Sequence, residues 1–132
     1  MQSQGTLKLY TEDEARIRLA TELPFWSVEH GRLCRRYRTS GWKASLMVAN
    51  AIGHLAEAAW HHPEVCLAYG TVTVRLMTHK AGGLTDKDFA LAGKIEEVVH
   101  WQPARECGAL SGTPNHEPRF RYIDYDRLDS AA

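Results

Sequence analysis

The chain has few of the residues that would announce a cofactor or a cross-link. Its three cysteines, Cys34, Cys66 and Cys107, are scattered, odd in number and free of any CxxC pair. They suggest neither a zinc ribbon nor a disulfide framework. No charge of one sign dominates, because sixteen Lys and Arg balance sixteen Asp and Glu. That balance argues against a protein that grips nucleic acid through its overall charge. No apolar run approaches the ~20 residues needed to cross a bilayer, and no secretory signal pattern opens the sequence. The expectation is a reduced, cytoplasmic protein with neither a nucleic-acid nor a membrane partner.

What remains is ordinary material for one globular core: 132 residues, 44% hydrophobic and 24% charged. Thr11-Glu12-Asp13-Glu14 reads as a capping box. Ala15, Leu19 and Leu23 then repeat at four-residue steps, so a helix is predicted over about 11 to 23, stopped by Pro24. Trp26 and Val28, then Leu33 and Tyr37, fall in two short strands joined through His30-Gly31, where Gly31 can supply a positive φ. The basic run from Arg32 to Arg38 reads as the wet face of the second strand.

After Thr39-Ser40-Gly41, a long apolar helix is predicted with Trp42, Leu46, Ala49, Gly53, Ala56 and Trp60 along its stripe. Ile52, Leu55 and Ala59 widen that stripe, and His61-His62-Pro63 ends the helix. Glu64 to Tyr69 fits a short strand. Thr71 to Thr78 alternates clearly, with Val72, Val74 and Leu76 on one face. A loop through Gly82-Gly83 leads to a third helix opened by Thr85-Asp86-Lys87-Asp88, with Phe89, Ala92, Ile95 and Val99 as its buried stripe. The order α-β-β-α-β-β-α predicts an α+β domain: a four-stranded antiparallel sheet with helices on one face, and an open face and edges suited to self-association.

Past Pro103 the composition shifts. Cys107 to Arg119 holds two glycines, two prolines and few large apolar residues, and Phe120 to Asp126 then alternates like a strand or a docking peptide. The predicted division is a domain over 1–103 and a C-terminal extension, linker plus docking segment, over 104–132.

One stretch is equipped for chemistry. Glu57 precedes His61 by four residues and so shares its helical face, His62 follows directly, His79 ends the best strand, and Asp88 lies in the first turn of the third helix. Imidazoles take and give protons near neutral pH, which suits a reaction that removes one proton and protonates a leaving group. Asp88 is suited to fix a tautomer or to anchor a substrate N–H. Each residue also has a structural reading. Asp88 at this position is a helix cap, a histidine before proline is a dipole partner, and Glu57 with His61 is a surface pair. His54, Glu57 and His61 share a face, but their spacing is not that of HExxH, and no metal site is expected.

The joint spacing resembles the pterin-4a-carbinolamine dehydratase family. Glu57, His61-His62-Pro63, Tyr69, His79 and Asp88 match that family's signature, and Thr78-His79-Lys80-Ala81-Gly82-Gly83-Leu84-Thr85 looks like its loop. Trp26, Leu33, Arg35 and Tyr37 fit its strand pattern, and the similarity covers about residues 6 to 100. The resemblance implies dehydration of a 4a-hydroxytetrahydropterin without metal or other cofactor, in a homodimer or homotetramer. His61, His62 and His79 would be the acid–base and pterin-binding histidines, with Glu57 and Asp88 orienting them or the pterin. Gly70 departs from the Asn common after the aromatic. The extension past Pro103 looks like the tail of a bacterial branch, the dehydratase-like RuBisCO assembly factor of α-carboxysomes. That branch implies a chaperone for RuBisCO, with the enzyme reading as the alternative.

Overall fold

A computed structural model of the chain describes residues 7–114 and 117–125. Helix α1 (Glu12–Glu22) begins at a complete capping box: the Glu14 amide donates to the Thr11 hydroxyl, and the Thr11 amide donates to the Glu14 carboxylate. Strands β1 (Ser27–Glu29) and β2 (Arg32–Thr39) follow, joined by a turn in which His30 (φ 54°) and Gly31 (φ 75°) are both left-handed. Two positive φ values make the turn that matches the twist of a two-residue hairpin.

Helix α2 (Trp42–Ala59), β3 (Glu64–Leu67), β4 (Thr71–Leu76) and α3 (Asp86–Val99) complete the expected order. The sheet runs β1-β2-β4-β3, antiparallel throughout. Its register sets Leu33 against Leu76, Arg35 against Val74 and Tyr37 against Val72, so these six side chains share one face. The helices bury that face, and all six are at most 2% exposed. The opposite face is polar, with ion pairs Arg36–Glu29 and Arg75–Glu64.

Three expectations change. The buried line of α2 is Ser45, Val48, Ile52 and Ala56, while Trp42, Leu46, Gly53 and Trp60 are exposed. A helix apolar on nearly every side carries no pattern that reveals which side faces inward. The basic run of β2 is only partly wet, because Arg35 is 2% exposed and lies on the core face. Finally, the extension supplies a fifth strand, β5 (Ile123–Asp124). It pairs with Arg38–Thr39 of β2, and Ile123 is 2% exposed in the core. The docking segment proposed for Phe120 to Asp126 thus meets this chain's own sheet at Ile123. Asp126 and the rest of the extension to 132, with residues 115–116 and 1–6, lie outside the described residues.

Candidate functional site

The chain leaves α2 through Trp60, whose backbone is left-handed at φ 53°. The His61 amide donates to the Ala56 carbonyl (3.1 Å) and the Trp60 amide to the Glu57 carbonyl (3.2 Å). This is a helix end usually closed by glycine, and a residue with a Cβ pays ~1 kcal/mol to close it. The reversal determines where the two histidines go. His61 turns inward, its side chain 14% exposed, and its Nε2 meets Asp88 Oδ1 at 2.7 Å. His62 turns outward against the Trp60 ring, and its Nε2 meets Glu57 Oε1 at 2.8 Å. Glu57 therefore partners His62, and the face it was expected to share with His61 and His54 ends at Trp60.

Asp88 is both cap and ligand of the histidine. As third residue of α3, its Oδ2 accepts from the Thr85 amide (2.9 Å), completing a capping box. The same oxygen accepts from the Thr78 hydroxyl (2.8 Å), which in turn meets the Thr85 hydroxyl at 2.7 Å. With no exposed surface, the carboxylate has a partner on every side: a helix cap, the end of β4 and His61. An ionised carboxylate accepts, so Nε2 of His61 donates to it, and Nδ1 is the ring nitrogen left for another partner. Sequence reasoning missed Thr78 and Thr85. The signal available was their position as the two threonines bounding the Gly82-Gly83 loop.

His79 follows Thr78 directly and opens a one-turn 3₁₀ segment (His79–Ala81). It is exposed; its carbonyl accepts from the Gly82 amide (3.1 Å), and its imidazole makes no hydrogen bond among the described residues. Thr78 ties the start of this segment to Asp88 and hence to His61. Tyr69 is placed elsewhere. It sits in the turn between β3 and β4, at the other end of that hairpin from His61, ~15 Å of strand away. There its carbonyl accepts from the Ser45 hydroxyl (3.1 Å).

A second carboxylate, half-buried, lies two turns along α3. Glu96 accepts from Trp26 Nε1 (2.8 Å), Arg35 Nε (2.8 Å), Arg35 Nη2 (3.0 Å) and the Tyr37 hydroxyl (2.7 Å). Burial pushes its carboxyl up, but the bonds and charge of Arg35, with Tyr37 and Trp26, outweigh that and hold it below the usual range. Burial drives the Tyr37 phenol far up, so it remains a donor.

The site thus defines a class: a small α+β protein presenting histidines, one of them fixed by a buried carboxylate, at one end of an antiparallel sheet. Comparison with known proteins gives the family. The Pterin 4 alpha carbinolamine dehydratase family matches residues 8–98, and the chain belongs to it. A protein of Chloroflexus aurantiacus provisionally named pterin-4-alpha-carbinolamine dehydratase is 43% identical over 76 residues, 58% of this chain and 82% of that protein. One of the same provisional name from Aquifex aeolicus is 39% identical over 89 residues, 67% of this chain and 89% of its own length. Among solved structures, a transcriptional coactivator/pterin dehydratase from Brucella melitensis aligns with TM-score 0.61 and 28% identity, covering 69% of this chain and 98% of that one.

Proposed function

We propose that the chain dehydrates a 4a-hydroxytetrahydropterin to the quinonoid dihydropterin. His61, His62 and His79 serve as the acid–base and pterin-binding histidines, and Asp88 and Glu57 orient them or the pterin. The observation that carries this reading is the 2.7 Å contact between His61 Nε2 and the buried carboxylate of Asp88, which fixes one imidazole while its other nitrogen makes no hydrogen bond among the described residues. In the reaction a base takes the proton from the ring nitrogen beside the hydroxyl-bearing carbon. An acid protonates the hydroxyl, water leaves, and a C=N bond forms. No step calls on a metal or other cofactor. The names of the relatives support the same reading. The exposed apolar side chains of α2, Trp42, Leu46 and Met47, support self-association as a homodimer or homotetramer, and a monomer mass in sedimentation would remove that support. The dehydratase reading is tested by following carbinolamine breakdown through ultraviolet absorbance. The chain should accelerate it, and His61→Ala and His79→Ala should each cost ~10²-fold or more. A rate equal to the uncatalysed one would overturn it.

A second reading rests on the extension past the family match at residue 98. It makes the chain a RuBisCO assembly factor linked to α-carboxysomes, with residues 104–132 as linker and docking segment. The burial of Ile123 in this chain's own core takes part of that segment out of play. Co-expression of RuBisCO subunits with and without the chain tests it, since an unchanged yield of active holoenzyme would end this reading.

A further inference from the structure

A hollow on the described surface lies away from the histidines. It lies between the end of α3 and the returning extension, has a volume of about 720 Å³, and falls within the ~300–1,000 Å³ range of small-molecule sites. One wall is Trp101 to Arg105 and the other is Arg121, Tyr122, Asp124 and Tyr125. Specific contacts shape the loop that closes it. Gly112 is left-handed (φ 78°), and a Cβ there would meet the Ala104 backbone at 3.2 Å, so the chain approaches in a way only glycine permits. Tyr125 stacks edge-on against His100 (5.1 Å), and Ile123 anchors the returning strand in the core.

The chemistry of the walls is one-sided. Arg105 and Arg121 form no ion pair among the described residues, although both line the same space. The one acid among the described lining residues, Asp124, is paired with Arg38 (3.4 Å). Glu106, beside the cavity, is engaged by the Trp101 indole (2.9 Å). Three aromatic side chains, Trp101, Tyr122 and Tyr125, complete the lining. Burial pushes the Tyr125 phenol up, so it stays a neutral hydroxyl near neutral pH. Guanidinium forks bind phosphate or carboxylate oxygens, and aromatic faces take flat rings.

We propose that this cavity is a binding site, separate from the histidine site, for a small anion carrying a flat ring, of the chemical class of a nucleoside phosphate. It lies in the part of the chain beyond the family match at residue 98. Calorimetry on the full chain tests it with three probes: adenosine monophosphate, adenosine and inorganic phosphate. The monophosphate should bind saturably and at least ~10-fold more tightly than either fragment, and Arg105→Gln with Arg121→Gln should weaken it by at least ~10-fold. Circular dichroism of the double variant should match the wild type, and His61→Ala should leave binding unchanged. Absence of saturable binding at millimolar monophosphate, equal affinity for adenosine and the monophosphate, or full affinity in the folded double variant would each overturn the proposal.

Discussion

Helix α3 carries two inward carboxylates with different partners, Asp88 fully buried and Glu96 16% exposed. Asp88, in its first turn, meets a histidine, a threonine hydroxyl and a backbone amide. Glu96, two turns on, meets a guanidinium, an indole and a phenol at hydrogen-bond distance, with the His100 imidazole farther off at 3.7 Å. Both are fully satisfied, as buried charge must be. The difference lies in what the partner can do. Arginine does not release its proton, so the Arg35–Glu96 pair at the centre of that cluster is fixed and its work is structural. An imidazole can take or give a proton, so the Asp88 cluster is held in place at one nitrogen and chemically free at the other. The Arg35 side chain is 1% exposed and lies over the Tyr37 ring at 4.2 Å, whereas the neighbours of Asp88 open onto exposed His79.

The largest expected effect tests the structural half of this contrast. Arg35→Ala takes the guanidinium from a carboxylate that is only 16% exposed, leaving the His100 imidazole 3.7 Å away, and should cost ~3 kcal/mol in urea denaturation. A loss below ~1 kcal/mol would mean that the two clusters are not different in kind. Next is Asp88→Asn, which keeps the shape but alters what His61 can share. Dehydratase turnover should fall by ~10²-fold while the protein stays folded, and a loss of activity only in step with lost folding would erase the distinction.

Acid titration sharpens the comparison further. The folded Glu96 carboxyl lies below its ordinary 4.5, so its contribution is fully present above that pH. It is lost as pH falls through the lower folded value, because the unfolded chain then binds the proton more readily. Glu14, Glu29 and Asp86 are also held down, Glu29 to about 2 by hydrogen bonds from Arg36. The informative quantity is therefore the difference between wild type and Glu96→Gln, whose urea midpoint should fall less steeply below pH 4.5. The smallest effect belongs to the exposed pair Glu57–His62. Glu57→Ala should move stability by no more than ~0.5 kcal/mol, measured by thermal melting.

How much of this was legible follows from the range of each interaction. Both capping boxes, the turn at His30-Gly31 and the stripe of α3 depend on residues a few positions apart, and each stands in the structure as the sequence predicts. The same holds for the face made by Val72, Val74 and Leu76. The spacing of Glu57, His61-His62-Pro63, His79 and Asp88 led to the family that comparison shows. The inward side of α2 was not legible, because hydrophobic residues surround it. Nor was the interior place of Arg35, since the carboxylate that pairs with its guanidinium, Glu96, lies 61 positions away.

For the stretch from Glu57 to Asp88, the sequence by itself determined the ingredients and the family. The tertiary structure decided the pairing. A left-handed Trp60 sends His61 to Asp88 and His62 to Glu57, and β5 brings Ile123 into the core. Local spacing specifies a turn or a helix face, but these partners meet only after the chain reverses direction. The burial that rewards them is the sum of many distant contacts, which no short stretch of sequence carries.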